Sequence, residues 1–226
     1  MIGVVGGGQL AMLLVEAGKK RDVDVVVQTA VKTDPAAKKT KQVILHDPTD
    51  AEGTKLLAEK SHFITFENEW IDIPSLISLQ NNGALFVPRL QSICPLINKI
   101  TQRELLNNLD IPCPDWLPLP IEKTSRMDLP ADWRFPLMAK AAKGGYDGKG
   151  TKIIKNLKQF EDFLEVETEE QWMLEKWVSF EKELSIVSSR DSKGIVRNLP
   201  IVETYQSKQV CDWVLAPADI NHDVDL

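Results

Sequence analysis

Cysteine, histidine and tyrosine are scarce in this chain: three, three and two residues in 226. Cys94, Cys113 and Cys211 are odd in number and far apart. That excludes a disulfide framework and a cysteine-built zinc site, and a reduced, cytoplasmic compartment is the simplest expectation. His46, His62 and His222 are dispersed and are read as structural or surface residues. Positive charge is not in excess: 27 Lys and Arg stand against 33 Asp and Glu, a net charge of −6. The basic face that broad nucleic-acid binding needs is therefore not expected. No apolar run approaches the roughly 20 residues that span a bilayer. The opening MIGVVGGGQLAML has no basic segment before it, and glycines interrupt its apolar run, so it reads as a strand and turn rather than a signal peptide.

What remains is ordinary globular composition, 43% hydrophobic and 27% charged, of a length for one large or two small domains. IGVVG, VDVVVQT, VILH and FITFE are short apolar runs, and QLAMLLVEAGKK and AEGTKLLAEK between them have helical character. Strands alternating with helices predict a parallel sheet with crossover helices. Gly6, Gly8 and Ala11 satisfy the glycine fingerprint of dinucleotide-binding turns. The acid that should end the second strand is missing: Gln28 and Thr29 stand there, and the nearest acid, Asp34, lies beyond them beside Pro35. NAD is therefore not the expected ligand. The turn and the helix start behind it are expected to face a small anion instead. Glu67, in TFENEW, closes the FITF run; in open α/β sheets ligands bind beyond the carboxyl ends of strands. A substrate-facing Glu67 and a solvated acidic loop are equally compatible with that pattern.

In the middle segment, NKITQRELLNNLDIPCPDW predicts a helix with Leu105, Leu106 and Leu109 as its apolar stripe, ended by Ile111-Pro112. LPLP and DLPADWRFP read as loops, and KKTK and EVETEEQ as solvated surface. FPLMAKAAKGGYDGKGTKII then predicts strand, glycine loop, strand, with Lys140 ending the first strand. Four glycines and three lysines between Lys140 and Gly150 make a poor helix and a poor core, and a glycine loop carrying lysines suits closure over phosphate. NLKQFEDFLE predicts an amphipathic helix burying Leu157, Phe160, Phe163 and Leu164; QWMLEKWV and FEKELSIVSSRD predict one strand each. A P-loop joins a strand to a helix, whereas this loop joins two strands. The kinase signatures, a G-x-G-x-x-G in the loop and an H-R-D, are absent. The order that remains resembles the ATP-grasp family, whose small domain closes a glycine hairpin over a triphosphate.

GVVGGGQLA, ITFENE, the lysine ahead of GGYDGKG, and EKWVSFEKELS together resemble the 5-(carboxyamino)imidazole ribonucleotide synthase branch of that family. The resemblance implies an α/β chain: a Rossmann-like parallel sheet (the pre-ATP-grasp domain) over 1–95, then an ATP-grasp α+β domain. Its small lid domain with a leading helix would span 96–182, and an incomplete start of its large domain 183–226. It implies an enzyme of purine biosynthesis using ATP, bicarbonate and 5-aminoimidazole ribonucleotide, with Mg2+ or Mn2+, and a homodimer when complete. It assigns Lys99, Lys140, Gly145, Gly148 and Gly150 to ATP, with Glu175, Lys176, Trp177 and Val178 as the adenine hinge and Glu183 on the ribose. Gln9 and Glu67 would meet the second substrate, as would Tyr146, Asp147 and Lys149 of the loop; those three, with Lys140, are the catalytic candidates. Three positions depart from the family: Lys99 stands where arginine is frequent, and Thr204 and Gln206 where Asn and His are frequent, Gln206 still being assigned to ATP. Asn221 or Asp223 is expected to cap a further helix, and the metal ligands are expected beyond Leu226. Three alternatives stand beside this reading: an NAD-dependent oxidoreductase built on the first segment, a nucleotide-binding fragment without turnover, and a different ATP-grasp ligase acting on another amine.

Overall fold

A computed structural model describes residues 1–119, 129–144, 150–165, 171–207 and 210–221. Its contacts divide the chain into two units, Met1–Cys113 and Pro114–Leu226. The first contains β1 (Ile2–Val5), α1 (Gln9–Lys19), β2 (Val25–Thr29), β3 (Val43–Leu45), α2 (Ala51–Lys60), β4 (Phe63–Phe66), α3 (Ile73–Asn81), α4 (Leu90–Ile93) and α5 (Lys99–Asn108). Its sheet has the order β3-β2-β1-β4, and every pairing is parallel. This is the sheet the apolar runs predict.

Side chains alternate across each strand, so the sheet buries two cores. Val4, Val25 and Val27 meet Ala11 and Val15 of α1 on one face. Val5, Val26, Ile44 and Ile64 meet Leu57 of α2 and Leu76 of α3 on the other. Gln28 is fully buried at the end of β2. Its amide nitrogen donates to the carbonyls of Asp47 and Asp50, and its oxygen accepts from Thr54. The residue in place of the expected acid thus pins the start of α2 to the sheet. Asp50 completes that start by accepting from the Glu52 N–H.

The leading helix of the middle segment is α5, capped by Asn98, and it lies in the first unit rather than with the strands that follow it. It ends at Asn108, before the predicted Ile111-Pro112 stop, and the chain reverses at Asp110 with φ 53°. Of the predicted stripe, Leu105 and Leu106 are half-buried and Leu109 is exposed; the buried residue of α5 is Ile100.

The second unit begins with β5 (Trp116–Pro118), inside the stretch read as a loop, followed by β6 (Leu137–Ala141), β7 (Thr151–Ile154), α6 (Leu157–Glu165) and β8 (Trp172–Lys176). These strands form an antiparallel sheet in the order β5-β8-β6-β7. One face, with Leu137, Ala139, Ala141, Trp172 and Leu174, buries Phe160, Phe163 and Leu164 of α6. Leu157 is exposed at the first turn, contrary to the expected four-residue face. FEKELSIVSSRD is two strands, not one: β9 (Glu183–Ser185) and β10 (Ser188–Arg190), broken at Ile186 and Val187. β10 pairs with β11 (Val196–Asn198), and β12 (Val202–Ser207) lies between β9 and β13 (Val210–Leu215), all antiparallel. Among the described residues no helix is long and apolar enough to cross a membrane. Asp223 lies outside the described residues, and Asn221 is the last of them.

Candidate functional site

In the first unit the strand order reverses between β1 and β4. The crevice beyond the carboxyl ends of strands at such a reversal is where open α/β sheets receive ligands. The two ends that meet there are the glycine turn Gly6–Gly8 and Glu67. Glu67 is half-buried, and its carboxylate accepts from the backbone N–H groups of Gly8 at 2.7 Å, Leu10 at 3.1 Å and Ala11 at 3.4 Å. These are the N–H groups that open α1, where the helix dipole favours negative charge. The expected small anion at this turn is therefore met by the protein's own carboxylate. The glycines have a local reason too: a Cβ on Gly6 or Gly8 would collide with the Glu67 side chain, and Gly6 has φ 120°. Gln9, between these contacts, is exposed at the first position of α1, so its backbone lies beside the Glu67 carboxylate.

Asp34 is a residue the sequence reading set aside. Its carboxylate accepts from the Thr29 hydroxyl, and both groups flank Gly7. The chain after β2 folds back, so an acid five residues past the strand returns to its end; linear spacing carries no trace of this. An apolar groove of about 450 Å3, walled by Ile2, Val23 and Phe63 among others, lies toward the opposite, amino-terminal ends of the strands. It contains none of the candidate residues. Lys99 is half-buried at the first position of α5 in this unit.

In the second unit β6 and β7 form the predicted strand–loop–strand hairpin. It is closed by the Ala141 N–H donating to the Gly150 carbonyl at 2.8 Å, and Gly144 takes φ 64°. Gly145, Tyr146, Asp147, Gly148 and Lys149 lie outside the described residues. Lys140 Nζ meets Glu175 Oε2 at 2.5 Å. Glu175 is on β8, opposite Met138, and Lys140 is opposite Met173. Both therefore sit on the sheet face away from α6.

Lys176, the next residue on β8, points to the other side. Its ammonium meets Asp115 at 2.7 Å and Asp132 at 2.5 Å and stands 5.9 Å from the centre of the Trp133 ring. Asp115 first and Asp132 second raise the Lys176 pKa, and Lys176 lowers that of Asp132. Asp115 and Asp132 carry no signal in the sequence, because only the strand register assembles this cluster. Trp177 and Val178 are exposed beyond the strand.

Glu183 opens β9, exposed, beside Thr204 of β12, whose hydroxyl donates to the Glu183 carbonyl at 3.5 Å. Gln206 follows a register shift in β12, opposite Cys211. Lys182, which the sequence reading passed over, donates to Glu203 at 2.9 Å and to the Asp219 carbonyl, and Glu203 raises its pKa.

Comparison with known proteins follows this division. The ATP-grasp domain family matches residues 104–225, and the ribonucleotide synthetase preATP-grasp domain family matches residues 1–94. The chain is 41% identical over 221 residues to an N5-carboxyaminoimidazole ribonucleotide synthase of Synechocystis, covering 97% of this chain and 55% of that protein. A carboxyaminoimidazole ribonucleotide synthase of Aspergillus clavatus complexed with ATP superposes with a TM-score of 0.88 at 27% identity, over 98% of this chain and 58% of that one. The same coverage holds for an N5-carboxyaminoimidazole synthase of that fungus in complex with ADP and 5-aminoimidazole ribonucleotide, with a TM-score of 0.85 at 27% identity. The chain thus spans little more than half the length of these relatives.

Proposed function

The chain belongs to the ATP-grasp family, and from that premise we propose that it forms the nucleotide-binding part of a ligase that carboxylates 5-aminoimidazole ribonucleotide. In this reading the γ-phosphoryl group of ATP passes to bicarbonate, giving carboxyphosphate and ADP. The amine nitrogen then bonds to the carboxyl carbon and loses a proton, while phosphate leaves with the cleaved C–O bond. Phosphoryl transfer asks a protein for position and charge neutralisation more than for covalent help.

The observation that carries the reading is Lys140, set directly before the glycine hairpin and held on the sheet face away from α6 by the glutamate that opens the hinge. Lys140 would meet the nucleotide phosphates. Backbone groups of Glu175 to Val178 would hold adenine, and Glu183 the ribose. Gly145, Tyr146, Asp147, Gly148 and Lys149 keep the roles the resemblance implies, closing over phosphate and recognising the imidazole ribonucleotide. Lys99, Gly150 and Gln206 are proposed for ATP, and Gln9 and Glu67 for the second substrate. Because the Glu67 oxygens already accept from three N–H groups, Glu67 would serve by shaping the crevice behind Gln9.

The family resemblance also implies Mg2+ or Mn2+. Among the described residues no three His, Cys, Asp or Glu side chains are grouped to hold a metal ion. A reduced, cytoplasmic location is proposed from the three dispersed cysteines, and a homodimer from the resemblance.

The test is phosphate release with magnesium present, using the 226-residue chain and the same chain extended to its relatives' length. Release that requires both bicarbonate and 5-aminoimidazole ribonucleotide, and falls at least a hundredfold in Lys140→Met, a range typical of losing an electrostatic stabiliser, bears the reading out. ATP binding with no release from either form supports a nucleotide-binding role without turnover. Release driven by a different amine moves the assignment to another ATP-grasp ligase.

A further inference from the structure

We propose that the Glu175 carboxylate is a positioning residue for Lys140: it holds the ammonium at the phosphate site before nucleotide arrives and keeps hold of it afterwards. The inference rests on the nucleotide-site reading and adds a side-chain role to a residue that reading uses for its backbone.

Three features support it. The Glu175 side chain is 3% exposed, whereas that of Lys140 is 26% exposed. A carboxylate so far from water attracts its ammonium partner through a low-dielectric surrounding that solvent and salt screen little, so the contact holds when phosphate approaches the exposed side of Lys140. Secondly, β8 is an interior strand of its sheet, between β5 and β6, so Glu175 has no edge across which to swing into solvent. Thirdly, Lys140 and Glu175 are diagonal neighbours on one face of the β6–β8 pair, a separation long side chains bridge. An ammonium has three donors. The contact with Glu175 Oε2 uses one, and the exposed side of Lys140 leaves room for phosphate oxygens at the others. Fixing a long lysine chain in advance lowers the ordering cost of binding.

An opposite mechanism makes an opposite forecast. If Glu175 competed with phosphate for Lys140, its removal would tighten ATP binding. The experiment measures ATP and adenosine affinities by calorimetry at fixed salt in the wild-type chain, Glu175→Gln, Lys140→Met and the double variant. Adenosine lacks phosphate, so it reports the hinge and ribose contacts without the phosphate site, and a merely structural defect weakens both ligands together. The expected result is a loss of about tenfold in ATP affinity for Glu175→Gln, the size of one charge-assisted hydrogen bond. The ATP-to-adenosine affinity ratio therefore falls, and Glu175→Gln lowers that ratio no further once Lys140 is Met. Should Glu175→Gln fail to fold, Glu175→Asp keeps the charge but withdraws it by one methylene, and a smaller loss of ATP alone is expected. An ATP-to-adenosine ratio that stays at the wild-type value, or rises, overturns the positioning role while leaving the nucleotide site standing. A wild-type chain that binds neither ligand removes both.

Discussion

β2 and β13 are both short apolar strands, VVVQT and VCDWVL, and they meet opposite fates. All five residues of β2 are buried, and all six of β13 are exposed. Composition does not separate them; cover does. β2 lies inside a parallel sheet with α1 on one face and α2 on the other, so both sides of the strand find apolar partners. β13 pairs along one edge with β12 and stacks Trp213 on Tyr205 at 5.3 Å between ring centroids, but its two faces are open. A β-strand supplies its own hydrogen bonds through one neighbour on each side. Its hydrophobic stabilisation comes only from what packs above and below.

The widest way to break this comparison is to remove equivalent apolar groups from the two regions. Leu57 of α2 is fully buried against the β2 sheet, and Leu57→Ala is expected to cost about 2–5 kcal/mol. Val214 on β13 is 52% exposed, and Val214→Ala is expected to stay within about 0.5 kcal/mol. Urea denaturation followed by circular dichroism measures both. Equal losses would mean that β13 is covered in solution.

A smaller effect separates the two glycine turns. Gly8 is fixed by its neighbour: a methyl group there displaces the Glu67 carboxylate and its bonds to Gly8, Leu10 and Ala11. Gly144 of the β6–β7 hairpin has nothing among the described residues within 4 Å of where its Cβ would stand, and its φ of 64° favours glycine. Gly8→Ala is expected to cost about 1–3 kcal/mol, the cost of disrupting charge-assisted bonds. In a Glu67→Ala background most of that cost is gone. The double-mutant cycle reads the coupling directly. Additive losses would show that Gly8 is constrained by something other than Glu67.

The same residues show what a sequence makes legible. Apolar runs and periodicity located β1, α1, β2, β3, α2, β4, α5, β6, β7, α6 and β8, because each carries a local apolar signal. They missed β5 and read β9 and β10 as one strand, since strands this short show no period unless, as in β3, every residue is apolar. Gln9 with Glu67, and Lys140 with its hinge glutamate, were expected as separate motif members. What the sequence could not show is that Glu67 points back into the turn and that Glu175 reaches Lys140. Both contacts depend on strand pairing, which is non-local. Asp34 was discounted because the chain's fold-back after β2 leaves no mark in linear spacing, and Asp115 and Asp132 were unmarked because they stand 61 and 44 residues from Lys176.

The finest form of the comparison sets two lysines on one sheet against each other. Lys140 has a buried carboxylate for a partner, while Lys176 has two exposed ones, Asp115 and Asp132, at 67% and 70% side-chain exposure. Exposed pairs are weak and screened by salt. Lys176→Met is therefore expected to change stability least of the variants considered, and its effect shrinks further in 1 M salt, where the Debye length is about 3 Å. The pH dependence follows from the directions of the shifts. Lys176 lowers the Asp132 pKa, so Asp132 contributes above its ordinary value near ~4 and loses that contribution as the pH falls through the lowered one. Asp115, then Asp132, raise the Lys176 pKa, so its contribution is whole below its ordinary value near ~10.4 and is lost as the pH rises through the raised one. Between those limits the charge contribution is flat. Melting temperatures of wild type and Lys176→Met should therefore differ at pH 7 and converge at both extremes. A difference that persists below pH 2 would assign the role of Lys176 to its packing on the buried Trp133 ring and not to its charge.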